Sequence, residues 1–430
     1  MKVVDGWKRE SLGDQLELIR NGYSGQQVGY FTDFPVSRIE TISDGTIDLN
    51  KVGYVDFIPD SYLLKPGDLL FSNINSVKHI GKVAQVSKGT RLFHGMNLLV
   101  FRPVEQVDKK FLLYKLINAK PWFEKMAAQA INQASINQGT VRQLQLELPK
   151  QKPEQAKIAE ILSTVDRAIE QTEALIAKQQ RIKTGLMQDL LTRGIDEHGN
   201  LRSEQTHQFK DSPLGRIPVE WEVKTIDELA VHVGSGITPR GGESVYTKEG
   251  VLFIRSQNVH FGGLLLADAS HIPQRIHDSM QRSEVFENDV LINITGASIG
   301  RCCYMPAMNF SANVNQHVCA IRLEQATQSD AGFLTSVLES SIGQNQIIQF
   351  NAGGNREGLN YRQVRSFVIP WPKTDERQRS YAFIKQSSEV LKVSGRNLAK
   401  LRSLKTALMQ DLLTGKKRVT PLLNDTEVIS

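Results

Sequence analysis

Both halves of the chain carry loops with polar side chains that could form specific hydrogen bonds to a ligand. Arginine can donate two hydrogen bonds to O6 and N7 of guanine, and asparagine or glutamine can pair with N6 and N7 of adenine. Loops that carry these residue types are therefore candidates for reading the base edges of DNA. The candidates in the first half are Arg20, Asn21, Arg38, Lys78, His79, Gln133 and Asn137. Those in the second half are Arg240, Arg255, Ser256, Gln257, His260, Asn355, Arg356 and Arg362.

The sequence lacks the motifs that a catalytic role would need. Gly81-Lys82 and Gly415-Lys416 have neither the upstream glycine nor the following hydroxyl residue of a phosphate-binding loop. An Asn-Pro-Pro-aromatic methyltransferase motif is absent, and no two histidines stand four residues apart. The three cysteines do not have the paired spacing of a zinc site. We therefore predict a non-enzymatic chain that holds neither a metal nor a cofactor of its own.

Composition and charge narrow the class of protein. The 430 residues exceed what one core usually supports, so two to four domains are expected. The net charge of +6 is compatible with a polyanionic partner. The sequence contains no apolar run that approaches the ~18 residues of a membrane span. A cytoplasmic protein without a membrane segment is therefore expected.

An internal duplication organises the chain. Residues 183–192 and 405–414 are identical at nine of ten positions. Similar offsets relate Trp7 to Trp221, Gly22 to Gly236 and Asp68 to Asp289, with drift of the kind that loop insertions produce. A repeat this long indicates a duplicated domain pair rather than a solenoid. Two similar halves in one chain suit a ligand with its own approximate two-fold axis, and duplex DNA is such a ligand.

Each half combines a sheet-type region with a long helix. Short apolar runs separated by glycine and proline predict strands, and a helix-spaced apolar stripe follows each sheet region. We predict recognition domains at 1–148 and 219–371, long spacer helices at 149–193 and 372–415, a connector at 194–218 and a mobile tail at 416–430. The fold class is α+β: two pseudo-symmetric mixed α/β domains joined by an antiparallel pair of long helices, each helix roughly 55 to 60 Å long.

A heptad repeat predicts which faces of these helices are buried. In the first helix, one line of seam positions is Ile158, Val165, Thr172, Gln179 and Leu186, and the other is Ile161, Ala168, Leu175, Ile182 and Asp189. In the second helix, the expected seam residues are Phe383, Val390, Leu401, Leu404 and Leu408, with the polar Ser387, Ser394 and Asn397 between them.

The order of these motifs resembles a known family. The two Leu-Met-Gln-Asp-Leu-Leu-Thr helix ends, the segment 210–218 before Trp221 and the run Gly236-Ile237-Thr238-Pro239 are similar to the specificity (S) subunits of type I restriction-modification systems. The resemblance implies a non-catalytic DNA reader in which each target-recognition domain reads one half of a split, asymmetric site. Two modification (M) subunits would dock on the helices, and restriction (R) subunits would join them. S-adenosylmethionine, ATP and Mg²⁺ are then expected only in those partner subunits.

The repeated helix ends are candidates for contact with the modification subunits, because glutamine is unexpected at a dry helix seam. The candidate partner-binding residues are Leu186, Met187, Gln188, Leu408, Met409 and Gln410. Two other functions stay open: a coiled-coil adaptor whose sheet domains bind peptides, and a stand-alone nuclease or methyltransferase. The recognised base sequence depends on loop geometry and DNA shape, which the sequence does not fix.

Overall fold

The computed structural model describes residues 3–43, 45–74, 76, 79–127, 135–239, 241–351 and 358–424. Its residue contacts divide the chain into two compact units, Met1–Glu173 with Asn397–Ser430 and Ala174–Arg396. We call these the first and second units. In the part of the chain described, no helix is both long and apolar enough to cross a membrane.

The first domain is built around an antiparallel sheet. Its strands are β1 (Trp7–Ser11), β2 (Leu16–Asn21), β3 (Pro35–Val36), β4 (Ile42–Ser43), β5 (Thr46–Ile47), β6 (Gly53–Tyr54), β7 (Leu69–Phe71), β8 (Val83–Gln85), β9 (Leu99–Pro103) and β10 (Gln145–Pro149). Its helices are α1 (Lys109–Asn118), α2 (Lys120–Ala127) and α3 (Gln138–Arg142). The main sheet has the order β2-β9-β7-β8, and β1 pairs with β10.

The second domain follows the long helix α4 (Lys152–Thr192) and a hairpin of β11 (Phe209–Ser212) and β12 (Gly215–Pro218). Its strands are β13 (Glu222–Thr225), β14 (Ala230–Ser235), β15 (Val251–Ile254), β16 (Val259–His260), β17 (Gly263–Leu264), β18 (Ser270–Ile272), β19 (Glu284–Val285), β20 (Val290–Asn293), β21 (Cys302–Tyr304), β22 (Ala312–Val314), β23 (Val318–Leu323) and β24 (Val368–Trp371). Its helices are α5 (Ile226–Leu229), α6 (Gln274–Ser279), α7 (Gln328–Glu339), α8 (Ser341–Asn351) and α9 (Tyr361–Arg365), and the long α10 (Thr374–Leu412) and short α11 (Pro421–Asn424) follow.

The two domains repeat the same sheet. The order β14-β23-β20-β21 in the second domain matches β2-β9-β7-β8 in the first, and β13 pairs with β24 as β1 pairs with β10. The pairing of the first strand shifts register at the same place, between Leu16 and Leu18 and between Ala230 and His232. Beside this sheet, the second domain carries a four-stranded sheet of the order β18-β15-β22-β19. The first domain has a shorter counterpart, in which β6 pairs with β3, Val36 bridges Phe93 in parallel and Phe93 bridges Leu63 in antiparallel orientation.

A buried ion pair is also repeated. Asp68 is 2% exposed and accepts hydrogen bonds of 2.7 and 2.8 Å from Arg102, and Asp289, 1% exposed, accepts the same pair of bonds from Arg322. A buried carboxylate needs such bidentate pairing to offset its loss of hydration. The landmark match of Asp68 with Asp289 in the sequence therefore has a structural reason.

The long helices run antiparallel within each unit. In the first unit, Asp166 pairs with Lys405 at 2.7 Å and Glu173 pairs with Arg402 at 2.6 Å. A later residue of α4 thus contacts an earlier residue of α10, as in an antiparallel pair. In the second unit, the end of α4 and the start of α10 contribute to one core, which includes Leu190 and Ile384. These observations confirm the predicted fold class, while the numerical domain limits stay a prediction.

One of the two seam lines predicted for α4 is wrong. The line that begins at Ile158 is buried or half-buried along its length, as predicted. The second line, however, lies one residue later than predicted, because Leu175 and Ile182 are 48% and 55% exposed. The residues that face inward are Leu162, Ile169, Ile176, Lys183 and Leu190. Both choices satisfy the alternation of three- and four-residue steps, so the spacing alone does not decide between them.

Lys183 occupies the seam because its charge is paired. Its side chain is buried, and its Nζ lies 3.0 Å from a carboxylate oxygen of Glu339 in the second domain. The same register shift applies to α10, where Phe383, Val390 and Leu404 are 44 to 48% exposed. Ser387 and Ser394 do lie on the inward face as predicted, whereas Asn397 is exposed.

The connector and the tail perform the same structural task in different units. In the second unit, Glu376 accepts a bidentate pair of hydrogen bonds from Arg202 and another from Trp221 Nε1 at 3.1 Å. In the first unit, Glu154 accepts hydrogen bonds of 2.7 and 2.9 Å from Arg418 of the tail. In the described part of the tail, Arg418 is held by this ion pair and Val419 is only 2% exposed in the core. Residues 425–430 lie outside the described residues, and the mobility of the tail stays a prediction. The sequence alone could not show that the tail repeats the connector's contact.

Candidate nucleic-acid interface

In the first domain, loops from four elements meet at one edge of the sheet. The backbone N–H of Tyr23, after β2, donates to the His94 carbonyl before β9 at 2.9 Å. The N–H of Ile136, before α3, donates to the Asn73 carbonyl after β7, also at 2.9 Å. The edge where β2 and β7 end is therefore formed by segments that are far apart in the sequence.

Most of the predicted residues of the first domain that can be described lie at the end of β2 or on the loops beside this edge. Arg20 and Asn21 end β2, and Asn137 caps α3 by accepting a 2.8 Å hydrogen bond from the N–H of Thr140. His79 is half-buried on the loop after β7, and Arg38 is exposed and lies 3.4 Å from Glu40. Lys78 and Gln133 lie outside the described residues.

In the second domain, the corresponding loops also converge. The N–H of Leu359 donates to the Ile294 carbonyl after β20 at 2.8 Å, and the N–H of Gly236 donates to the Asn315 carbonyl before β23 at 3.2 Å. The side chain of Asn293 donates to the carbonyl of Ser256 at 2.8 Å, which adds the loop after β15. The same edge is thus built a second time.

The predicted residues of the second domain are placed around this edge. Arg255, Ser256 and Gln257 follow β15, and His260 Nε2 lies 2.9 Å from the Gln257 carbonyl. Arg362 is exposed on α9, and no hydrogen bond or ion pair of its side chain occurs within the described ranges. Arg240, Asn355 and Arg356 fall outside the described residues. Direct DNA contact by any of these residues stays a prediction.

Each edge contains an arginine held over a tyrosine ring. The guanidinium of Arg20 lies 4.5 Å from the ring centroid of Tyr62 and donates to the carbonyl of Ser61. That of Arg255 lies 5.3 Å from the ring centroid of Tyr246. In both arginines the Nε–H is buried without a partner among the described atoms. Stacking of this kind restricts the orientation of a guanidinium group.

A repeated glycine allows two backbone segments to approach closely at each edge. A Cβ atom on Gly22 would lie 1.7 Å from the carbonyl oxygen of Gly95, and one on Gly236 would lie 1.5 Å from that of Val314. Any larger residue would push away Gly95 in the turn before β9, or Val314 at the end of β22, next to the turn before β23. The sequence landmark Gly22/Gly236 therefore marks a contact between the first strand's end and that turn.

The turn itself was missed at the sequence level. Gln316 is exposed, accepts a hydrogen bond from the Thr238 hydroxyl and lies 3.0 Å from Nε2 of His317. The equivalent turn of the first domain carries Met96, 37% exposed, and Asn97, whose φ is +66°. The repeated glycine contacts this turn in space, but the sequence does not reveal that contact, so these residues could not be identified from it.

Burial lowers the pKa of two histidines, one at the edge of the first domain and one on β14 of the second. Burial in the first domain lowers the pKa of His94 to about 4, because the charged form would lose its hydration. Its Nε2 lies 3.0 Å from the carbonyl oxygen of Leu98, under the same turn. Burial also lowers the pKa of His232 on β14, and the nearby Arg322 acts in the same direction.

The candidate partner-binding residues differ in exposure. Gln188 and Gln410 are exposed on their helices, so both amides are available to another protein. Leu186, Leu408 and Met409 are half-buried against the cores. Met187 is only 6% exposed and therefore offers a partner little surface. Contact of these six residues with another subunit stays a prediction.

Comparison with known proteins identifies the family. A family model described as the type I restriction modification DNA specificity domain matches twice, at residues 5–179 and 218–401. A putative type I restriction enzyme specificity subunit (MjaX) of Methanocaldococcus jannaschii is 31% identical over 427 residues, which cover 97% of this chain and 95% of the relative. The EcoBI specificity subunit of Escherichia coli is 22% identical, with 97% of this chain and 87% of that protein covered.

Solved structures share the fold. The S subunit of a type I restriction-modification system from M. genitalium superimposes with a TM-score of 0.61 at 14% identity, covering 96% of this chain and 98% of that one. A chain from a study of complex assembly and conformational transition of the type I system gives a TM-score of 0.55 at 16% identity, covering 96% and 99%. The prediction of a non-catalytic role is confirmed by the relatives' assignment as specificity subunits. The chain therefore belongs to the family of type I restriction-modification specificity subunits, with two copies of its DNA specificity domain.

Proposed function

We propose that the chain reads a two-part, asymmetric DNA site, one part with each domain. The observation that carries this proposal is the repeated sheet edge, at which both domains place a glycine-supported turn and an arginine stacked on a tyrosine. Such an edge offers hydrogen-bond donors and acceptors on a preformed scaffold, as base recognition requires.

Differences between the two edges support the asymmetry of the site. The residues after Gly22 are Tyr23, Ser24 and Gly25, whereas Ile237, Thr238 and Pro239 follow Gly236. The loops after the equivalent strands β3 and β15 also differ, since Ser37, Arg38 and Ile39 follow β3 whereas Arg255, Ser256 and Gln257 follow β15. Two readers with one framework and different side chains would recognise different base sequences.

We propose that the modification subunits dock on the exposed apolar flank of the long helices. Ile182 and Val390 each precede an inward-facing residue by one position. Each side chain is therefore turned about its helix axis by about 100° from the inward direction, in the same sense in both helices. In an antiparallel pair this places them on the same side of the second unit. Leu404 is the counterpart of Ile182 in the duplicated sequence and is 48% exposed in the first unit. Exposed apolar residues grouped in this way are typical of protein interfaces.

Each unit thus offers one docking site, which supports two modification subunits for each chain. Gln188 and Gln410 would contribute hydrogen bonds at the helix ends. The chain itself needs no cofactor in this proposal: S-adenosylmethionine would enter with the modification subunits, and ATP and Mg²⁺ with restriction subunits.

Selection from randomised DNA duplexes tests the reading function. The full chain is mixed with its purified methyltransferase subunit, and the bound duplexes are sequenced. We expect a motif of two short parts separated by unspecified bases, and affinity that falls steeply as salt is raised because phosphate contacts release counterions. Binding without sequence preference would instead favour an adaptor function.

A further inference from the structure

The turn that precedes β9 in the first domain and β23 in the second carries different chemistry in the two domains. Leu99 lies opposite Asn21 in the first sheet, and Cys319 lies opposite Ser235 in the second. Counting back three residues from Leu99 and Cys319 gives Met96 and Gln316, which are therefore structurally equivalent. One is an apolar thioether and the other a primary amide, and both are exposed.

Gln316 is held in a defined orientation. Its Oε1 accepts a hydrogen bond from the Thr238 hydroxyl, and its Nε2 donates to Nε2 of His317 at 3.0 Å. His317 is fixed in turn, because its Nδ1 is hydrogen-bonded to the hydroxyl of Thr295. A side chain restrained on both sides loses little conformational entropy when a ligand binds.

The amide of Gln316 keeps the capacity that adenine recognition needs. A primary amide has two N–H donors and two oxygen lone pairs, and the contacts with Thr238 and His317 use one of each. No other partner of this amide occurs among the described residues, which leaves one donor and one acceptor. Adenine presents in the major groove an N6 amino donor and an N7 acceptor, which match this remaining pair.

Met96 cannot make such a pair. Its side chain is apolar and 37% exposed, and its backbone N lies close to Gly22, where a Cβ would come within 3.1 Å. The group on a base edge that suits an apolar side chain is the 5-methyl group of thymine. The equivalent positions are therefore suited to different bases.

We propose that Gln316 is a specificity-determining residue that reads an adenine in one half-site, and that Met96 contacts a thymine methyl group in the other. This inference rests on the proposed function of the two edges as DNA readers. It adds the residue and the base at one position of each half-site.

Substitutions of Gln316 test the proposal in the full chain with its methyltransferase subunit, again by selection from randomised duplexes. Gln316→Ala is expected to lower the preference for adenine at one position of one motif part by roughly 5- to 150-fold, the discrimination of one bidentate pair. Gln316→Glu is expected to shift that preference toward cytosine, because a carboxylate only accepts and cytosine offers its N4 amino group. Met96→Ala should relax one position in the other part alone.

The control is Glu324→Ala, an exposed residue beyond the opposite end of β23, which should leave the motif unchanged. The inference is overturned if Gln316→Ala and Gln316→Glu select the wild-type motif, or if either alters both parts at once, as a general structural defect would. A wild-type protein that selects no two-part motif would contradict the proposed function itself. The two failures are therefore distinguishable.

Discussion

The ion pair between Glu154 and Arg418 should stabilise the first unit, and Arg418→Met tests how much. The substitution keeps most of the apolar stem and removes the charge. Glu154 is 3% exposed, and both of its side-chain hydrogen bonds among the described residues come from Arg418. Its carboxylate would be left buried without a donor.

The magnitude follows from burial on the two sides of the pair. Removing one partner from a fully buried pair costs about 3 to 5 kcal/mol. The Arg418 side chain is 30% exposed, so water can replace part of the lost interaction. We therefore expect a loss of about 2 to 3 kcal/mol in the first unit. Glu154→Gln in the same variant should recover part of this loss, because an unpaired amide is less costly to bury than an unpaired charge.

Hydrogen exchange measured by mass spectrometry separates the units, which a single unfolding transition of a multidomain chain would not. Protection of amides at the start of α4 should fall by roughly 30- to 160-fold if they exchange through opening of the first unit. Arg202→Met is the matched control in the second unit. It should have a smaller effect there, because Glu376 keeps hydrogen bonds from Trp221 Nε1 and the N–H of Ile195. Unchanged protection at α4 in Arg418→Met would refute the assigned role of the tail.

Three further predictions, two of them with a control substitution, test other parts of the structure. The first domain should lose up to about 3 kcal/mol of stability as pH falls from 6.5 to 4. In this range His94 binds a proton in the unfolded chain but stays largely unprotonated in the folded one, where its pKa is lowered to about 4. His94→Gln should flatten this pH dependence in domain-resolved hydrogen exchange, and an unaltered slope would contradict the assignment. Gly236→Ala should displace the turn before β23 and weaken DNA binding in a gel-shift assay, whereas Gly395→Ala, which meets nothing within 4 Å, should leave binding intact and stabilise α10 by about 0.5 to 1 kcal/mol. Ile182→Asp should reduce co-purification of the methyltransferase subunit, whereas the control Gln180→Asp, on the opposite flank of α4, should not. If both variants retain the methyltransferase subunit equally, the proposed docking surface is wrong.

The duplication made most of the architecture predictable from the sequence. Repeated landmarks such as Trp7/Trp221 and Gly22/Gly236 identify positions where packing permits few alternatives, so two domains of one topology could be predicted. The seam of α4 was predicted only in part, because Lys183 is buried through a partner, Glu339, that is 156 residues away. Whether a charged residue is buried on a helix face depends on a partner that is distant in the sequence, and the spacing of apolar residues does not reveal that partner.

The candidate site was harder to predict than the fold. Residue type identified Arg20 and Arg255, which both lie on tyrosine rings at the sheet edges. The same criterion missed Met96, because an isolated methionine suggests core packing rather than base contact. Gln316 was missed because its restraint by Thr238 and His317 depends on loops that meet only in the folded chain.

Mapping of methylated adenines across a host genome tests the central claim most directly. The full chain is co-expressed with its methyltransferase subunit in a host that lacks other adenine methylation. Two-part reading predicts methylation within one motif composed of two different short sequences at a fixed separation. Arg255→Ala should change the base preference in only one of them. A single continuous motif, or a variant that alters both parts equally, would contradict the assignment of one half-site to each domain.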